Sequence, residues 1–142
     1  MLSAHHAPAP RPRVLIVEDH DDTREMYAQF LTAISGLDVI ECASSATALT
    51  QALAAFPDVV VTDYLMPKFN GIELCRQLQA NPATSRIPVI MLTADAHALR
   101  SESVLALCAA VVLKPCEPED LALHIRTVIG QGERTPGVSA AT

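Results

Sequence analysis

The chain has 142 residues, half of them apolar, and a net charge of −6. That is enough for one domain with a real hydrophobic core and too little for two ordinary ones. Ten basic residues spread thinly over an acidic chain speak against a nucleic-acid surface, which needs clustered Lys and Arg.

No apolar run approaches the roughly 18 residues that suggest a membrane span, and Met1 to Pro12 lacks the apolar centre of a signal peptide. The expectation is a cytoplasmic protein with no direct contact to nucleic acid or membrane. The four cysteines, Cys42, Cys75, Cys108 and Cys116, show no C-x-x-C spacing. They read as buried free thiols rather than as a disulfide or zinc set.

Residues 1–12 are rich in proline and alanine and show no apolar periodicity, so they read as a disordered N-terminal segment. Val14-Leu15-Ile16-Val17 is a short apolar run, a buried strand by length and β-branching. Asp21 or Asp22 can cap the helix that follows, where Met26, Tyr27, Phe30, Leu31 and Ile34 recur at helical spacing until Gly36. Leu37 to Glu41 reads as a second strand. Ser44 or Ser45 caps a helix with Ala46, Leu49, Leu53 and Phe56 on one face, stopped by Pro57. Asp58 to Thr62 reads as a third strand. Asn70-Gly71 opens a helix carrying Ile72, Cys75 and Leu78, which closes near Asn81-Pro82. Ile87 to Leu92 is a fourth strand, followed by a weaker helix over about 96–107. Val111 to Leu113 is a fifth strand. Pro118 sits in the first turn of a last helix through Leu121, Ile125, Val128 and Ile129, ending at Gly130. Residues 131–142 are small and polar, like a flexible tail.

The strands are continuous apolar runs, which means burial on both faces and a parallel sheet between helices. Right-handed crossovers then lead to an α/β, doubly wound, five-stranded parallel sheet with five helices, in the flavodoxin-like order 2-1-3-4-5. Such a sheet binds ligands at the C-terminal ends of its strands. Those ends carry Glu18 and Asp19, then Asp63, then Thr93, then Lys114. Each acidic residue alone could be a helix cap or a solvated loop residue. Together they put three carboxylates on one rim, and two unit charges 4 Å apart cost about 4 kcal/mol at an effective dielectric near 20. Lys114 supplies one compensating charge. A divalent cation would supply the rest, and hard carboxylate oxygens suit Mg²⁺.

Val17-Glu18-Asp19, Asp63-Tyr64-Leu65-Met66-Pro67 with Asn70-Gly71, Thr93-Ala94 and Lys114-Pro115, in this order at four strand ends, resemble the receiver domain of two-component response regulators. The resemblance covers residues 13–130. It implies that Asp63 is the phosphoacceptor, that Glu18, Asp19, Asp63 and the backbone carbonyl of Leu65 hold Mg²⁺, and that Thr93 and Lys114 bind the phosphoryl group. It implies a signalling switch that catalyses only its own phosphorylation and dephosphorylation. The implied partners are a sensor histidine kinase or a histidine phosphotransfer protein and a downstream protein target, with a homodimer as a further option. Within this reading a stand-alone receiver is expected, and a receiver fragment of a longer hybrid kinase or regulator is the alternative.

Val111 departs from the family pattern, in which an aromatic residue usually stands three before the lysine; Cys116 departs too, where an aromatic often follows Lys-Pro. A muted or rerouted switch is expected. Asp95, two past Thr93, is either a helix cap or a residue that tunes dephosphorylation. His20 reads as a solvated loop histidine at the edge of the site, and no histidine pair shows ligand spacing. Pro67 and Gly71 read as structural, one stiffening the loop after Asp63 and the other permitting its turn. An aspartyl-nucleophile phosphatase would want a second aspartate two past the first, where this chain has Leu65. A nucleotide-binding protein of the same topology would want a Gly-rich loop after the first strand, where this chain has Glu18-Asp19-His20-Asp21-Asp22.

Overall fold

A computed structural model describes residues 10–65 and 70–133. Met66 and Pro67, the latter expected to stiffen the loop after Asp63, lie outside the described residues, as do residues 1–9 and 134–142 of the two terminal segments. The strands are β1 (Arg13–Val17), β2 (Asp38–Cys42), β3 (Val59–Asp63), β4 (Val89–Thr93) and β5 (Ala110–Leu113). They alternate with α1 (Asp21–Ala33), α2 (Ser45–Ala55), α3 (Gly71–Ala80), α4 (Glu102–Leu107) and α5 (Pro118–Glu133). The sheet has the expected order, β2-β1-β3-β4-β5, and every pairing is parallel.

Burial on both faces explains why the strands lack an in/out alternation. Val14 and Ile16 of β1 join a core with Tyr27, Leu31, Leu121 and Ile125, between the sheet and helices α1 and α5. Leu15 and Val17 join the opposite core with Ala48, Ala52, Leu74 and Leu78, under α2 and α3. Each Val, Leu or Ile among them, taken fully out of water, contributes roughly 1.5–3 kcal/mol.

Several boundaries differ from the sequence expectation. The β2 strand starts at Asp38 rather than Leu37, because the Leu37 N–H bonds back to the Leu31 carbonyl and closes α1. Gly36 makes that closure with φ +68°, a left-handed conformation favoured by glycine. The α1 N-cap is His20, with no side-chain cap bond; Asp21 and Asp22 fall inside the first turn, where their charge favours the helix dipole. Ser44, not Ser45, caps α2, accepting from the Ala46 N–H. That helix buries Ser45, Ala48 and Ala52, while Ala46 is exposed and Phe56 has left the helix as a left-handed C-cap. The weak helix over 96–107 is two pieces: a 3₁₀ turn over Ala96–Arg100, then α4 with Ser101 as its cap. Finally, α5 does not stop at Gly130. It continues through Gly130 and Gly132 to Glu133; each glycine costs a helix about 1 kcal/mol, and packing by Leu121, Ile125 and Val128 anchors the turns before them.

At the C-terminal edge the backbone ladder runs one residue beyond the strands. The Glu18 N–H donates to the Cys42 carbonyl at 3.0 Å, Tyr64 to Leu92 at 2.8 Å, and Lys114 to Thr93 at 2.7 Å. The loops that carry the expected site residues therefore leave the sheet from fixed positions.

Candidate functional site

Asp63 is the last residue of β3 and Thr93 the last of β4, while Glu18 and Lys114 each follow a strand directly. Parallel register does the rest: Val17 pairs with Thr62, Asp63 with Leu92, and Thr93 with Leu113. Residues distant in sequence are thus brought to one rim. Glu18, Asp63 and Thr93 are all at least 97 % buried, which is unusual for two carboxylates side by side.

Lys114 Nζ lies 2.6 Å from Asp63 Oδ1 and 3.9 Å from Glu18 Oε1. It approaches Oδ1 off the hydrogen-bonding direction, so that buried oxygen has an ion-pair partner and no hydrogen bond. One ammonium therefore serves two carboxylates. Burial pushes the Asp63 carboxyl up, and the Glu18 carboxylate adds to the effect; Lys114 opposes both, and the result is about 7. Burial acts on Glu18 in the same direction. Its hydrogen bonds with Asp63 and His20, together with the Lys114 charge, outweigh that and hold it below its ordinary value. The two carboxylates are coupled, so a proton gained or lost by one is felt by the other.

His20 stands, as expected, in the loop at the edge of the site. Its side chain is largely exposed, yet Nδ1 stands 3.2 Å from Glu18 Oε2 and 3.5 Å from Asp19 Oδ1. Its backbone N–H donates to the same Glu18 oxygen at 3.1 Å. The bond to Glu18, then the charge of Asp19, raises the imidazole pKa. Among the described residues, Glu18, Asp19 and His20 form the one group whose ligand atoms lie close enough to hold a metal ion together. Arg24, which the sequence did not single out, donates from Nη1 to the Glu18 carbonyl at 2.9 Å and pairs with Asp21 and Glu41. It fixes the loop after β1.

The Thr93 hydroxyl accepts from the Asp95 N–H at 2.9 Å, and Asp95 in turn caps the 3₁₀ turn by accepting from the His97 N–H. Of the two readings of Asp95, the cap is the one in place. Leu65 is exposed and lines a cavity of about 300 Å³ with Leu92, Thr93, Ala94, Asp95 and Lys114. Gly71 is needed for a different reason from the one expected. A Cβ there would stand 2.4 Å from the Asp63 carbonyl oxygen and 3.0 Å from Met91 Cε. The start of α3 packs directly onto the backbone of Asp63, and no larger residue fits.

A five-stranded sheet of this order is shared with a family of signalling domains, as the comparisons with known proteins show. Residues 14–126 match the family described as response regulator receiver domain, and this chain belongs to that family. It is 33 % identical over 129 residues to the DNA-binding response regulator MtrA of Mycolicibacterium smegmatis, covering 89 % of this chain and 54 % of that protein. It is 31 % identical over 121 residues to the phosphate regulon transcriptional regulatory protein PhoB of Rhizobium meliloti, covering 83 % and 52 %. The chain therefore spans about half the length of these relatives. Among solved structures, chemotaxis response regulator CheY4 of Vibrio cholerae superposes with a TM-score of 0.77 at 27 % identity, over 84 % of this chain and 99 % of that one. The signal receiver domain of a signal transduction histidine kinase from Syntrophus aciditrophicus gives 0.75 at 29 %, over 87 % and 94 %.

The expected absence of nucleic-acid contact draws no support from relatives described as DNA-binding. No helix among the described residues is long and apolar enough to cross a membrane. Receiver domains generally bind Mg²⁺ at an acidic site, and the residues here fit that ion. The donors are hard oxygens, Asp63 Oδ1 is buried without a hydrogen bond, and the two buried carboxylates outnumber their one ammonium.

Proposed function

We propose that this chain is a phosphorylation-dependent switch of a two-component system or phosphorelay, with Asp63 as the residue that takes the phosphoryl group. The observation that carries the reading is the buried Asp63 carboxylate, paired with Lys114 at 2.6 Å and crowded by Glu18 at the C-terminal edge of the sheet. In the transfer, a bond forms between an Asp63 oxygen and phosphorus as the N–P bond of a phosphohistidine breaks, and the electron pair returns to the imidazole. Lys114 pairs with the transferred oxygens, and the Thr93 hydroxyl, whose oxygen already holds the Asp95 N–H, keeps its own proton to donate. Asp19, Asp63, the Leu65 carbonyl and, through water, Glu18 would hold Mg²⁺, which when bound supplies positive charge to the phosphoryl oxygens. The chemistry is positioning and charge compensation.

The donor would be a sensor histidine kinase or a histidine phosphotransfer protein, met in the cytoplasm, and output would pass by binding a downstream protein. Leu105 and Leu113, large apolar side chains exposed near α4 and β5, support that side as the partner or dimer face. A second reading is favoured by the greater length of the relatives: the receiver working within a longer regulator or kinase, with a DNA-binding output among the options. The size of the endogenous protein on an immunoblot separates the two.

The central proposal is tested by incubating the chain with Mg²⁺ and acetyl phosphate and reading intact mass. One added phosphoryl group is expected, removed by chelation of the metal and by Asp63→Ala. Its persistence in Asp63→Ala would overturn the assignment.

A further inference from the structure

Two of the four free cysteines meet in space. Cys75 lies on the buried face of α3, and Cys108 is the C-cap of α4, 33 residues later, with its sulfur 3.9 Å from that of Cys75. Among the described residues this is the one cysteine pair in sulfur contact. Cys42 instead donates to the Ser44 carbonyl, and Cys116 to that of Glu117. The surroundings of the pair are apolar: Cys75 sits in the core with Leu74, Leu78, Met91 and Val104, and Leu107, Cys108 and Val111 pack against it. No metal ligand joins them there, since the group of metal-capable side chains lies at Glu18, Asp19 and His20.

We propose that Cys75 and Cys108 form an oxidisable dithiol, which hydrogen peroxide closes to a disulfide that fastens the end of α4 to α3. The sulfurs must approach from 3.9 Å to the roughly 2.05 Å of an S–S bond. The required movement falls on Cys108, which stands outside regular structure in extended backbone between α4 and β5 (φ −116°, ψ 146°). Cys75 is held by its helix and completely buried.

Exposure decides the order of events. Cys108 is half-buried and within reach of a small oxidant, whereas Cys75 is not. The two thiols share one contact in which either sulfur can be the donor, so it is exposure that selects Cys108 to react first. The Cys108 thiolate attacks one peroxide oxygen, the O–O bond breaks, and hydroxide leaves; the sulfur is now a sulfenic acid. The Cys75 sulfur then attacks it, the S–O bond breaks, and water leaves with the thiol proton. Overall, two thiols and one peroxide give one disulfide and two waters. Reduction by a small thiol reopens the pair, as suits a transient bond in a reducing compartment.

The bridge would act on the segment that leads away from the rim. The α4 helix follows Thr93 and Asp95 through the 3₁₀ turn at Ala96–Arg100 and leads into β5, and in the reduced form Gln79 Nε2 donating to the Leu107 carbonyl at 3.3 Å is the neighbouring polar tie between α3 and α4. A covalent link beside it would restrain α4 without touching Asp63.

The experiment uses the full reduced chain, folded, treated with hydrogen peroxide, alkylated and digested. The expected result is a mass loss of two hydrogens, two fewer alkylatable thiols, a Cys75–Cys108 cross-linked peptide, and full reversal by dithiothreitol. A Cys42→Ser/Cys116→Ser variant should behave identically, and Cys108→Ser should give no loss of thiols. Four alkylatable thiols after treatment, a bridge through Cys42 or Cys116 or to a second copy, or Cys108 carried to sulfinic acid with Cys75 still a thiol would overturn the proposal. Because the peptide map is read on the unaltered chain, it decides the matter even if a serine variant fails to fold.

Discussion

Replacing Asp63 by asparagine is expected to stabilise the fold at alkaline pH. In the folded chain the carboxyl is raised from 3.8 to about 7, first by burial and then by Glu18. The folded state therefore binds more protons than the unfolded state between those values. The stability this group contributes is whole below pH 3.8 and is lost as pH rises through about 7. A shift of about three units corresponds to about 4 kcal/mol at 1.36 kcal/mol per unit. Glu18, held below its ordinary value, works in the opposite sense at acid pH and lowers the net figure for the pair. Asparagine keeps the shape and the neutral form at every pH. The Asp63→Asn chain should thus exceed the parent by about 2–4 kcal/mol at pH 8, and the gap should close towards pH 4. Urea unfolding with a chelator present, at pH 8 and pH 4, measures both. A gap that does not change with pH, or a less stable variant at pH 8, would refute the account of two buried carboxylates sharing one cation.

Other expectations follow from single contacts. Gly71→Ala drives a Cβ to within 2.4 Å of the Asp63 carbonyl oxygen, so it should cost about 1–3 kcal/mol in urea unfolding and move the Asp63 amide resonance. Tyr27→Phe removes the bond from the Tyr27 hydroxyl to the Cys116 carbonyl at 2.6 Å and leaves a buried acceptor bare, for a loss of about 1–3 kcal/mol in the same assay. Val111 lacks the side chain to swing inward beside Thr93. A phosphate mimic added with Mg²⁺ should therefore shift amide resonances around Asp63 and Thr93 and leave most of residues 97–116 little changed; large shifts there would remove the idea of a muted switch.

The strands were legible because their signal is local. Val14–Val17, Val59–Val61 and Ile90–Leu92 are runs that only a sheet covered on both faces can bury. The rim was legible for the same reason: once the strand ends are known, parallel register fixes which residues meet. What escaped were features settled by contacts between elements. Leu37 looks like strand but closes α1, and Gly130 looks like a stop yet is carried through by the packing of its neighbours. His20 is solvated as expected, but nothing in its sequence neighbourhood says that Nδ1 turns back onto Glu18. Cys75 and Cys108 are 33 positions apart, and their contact depends on the line along which α3 and α4 pack. Gly71 was marked correctly for a mistaken reason, because close approach to the Asp63 carbonyl belongs to the tertiary fold and not to the turn.

Thr93 shows how such a rim can be sensitive without an aromatic partner in β5. Its carbonyl receives the Lys114 N–H, and its hydroxyl oxygen receives the Asp95 N–H. Asp95 then caps the 3₁₀ turn that leads to α4. A change in what the Thr93 hydroxyl donates to is felt at once by Asp95, because both use the same oxygen. On β5, Val111 lies opposite Met91 and is only partly covered, so there is no bulky ring there whose two positions could report on Thr93. Hydrogen bonds through Asp95 thus tie Thr93 to the start of the 3₁₀ turn that precedes α4, while β5 reaches the same residue through the Lys114 N–H; a device that restrains α4 from its far end, at Cys108, acts beyond that turn.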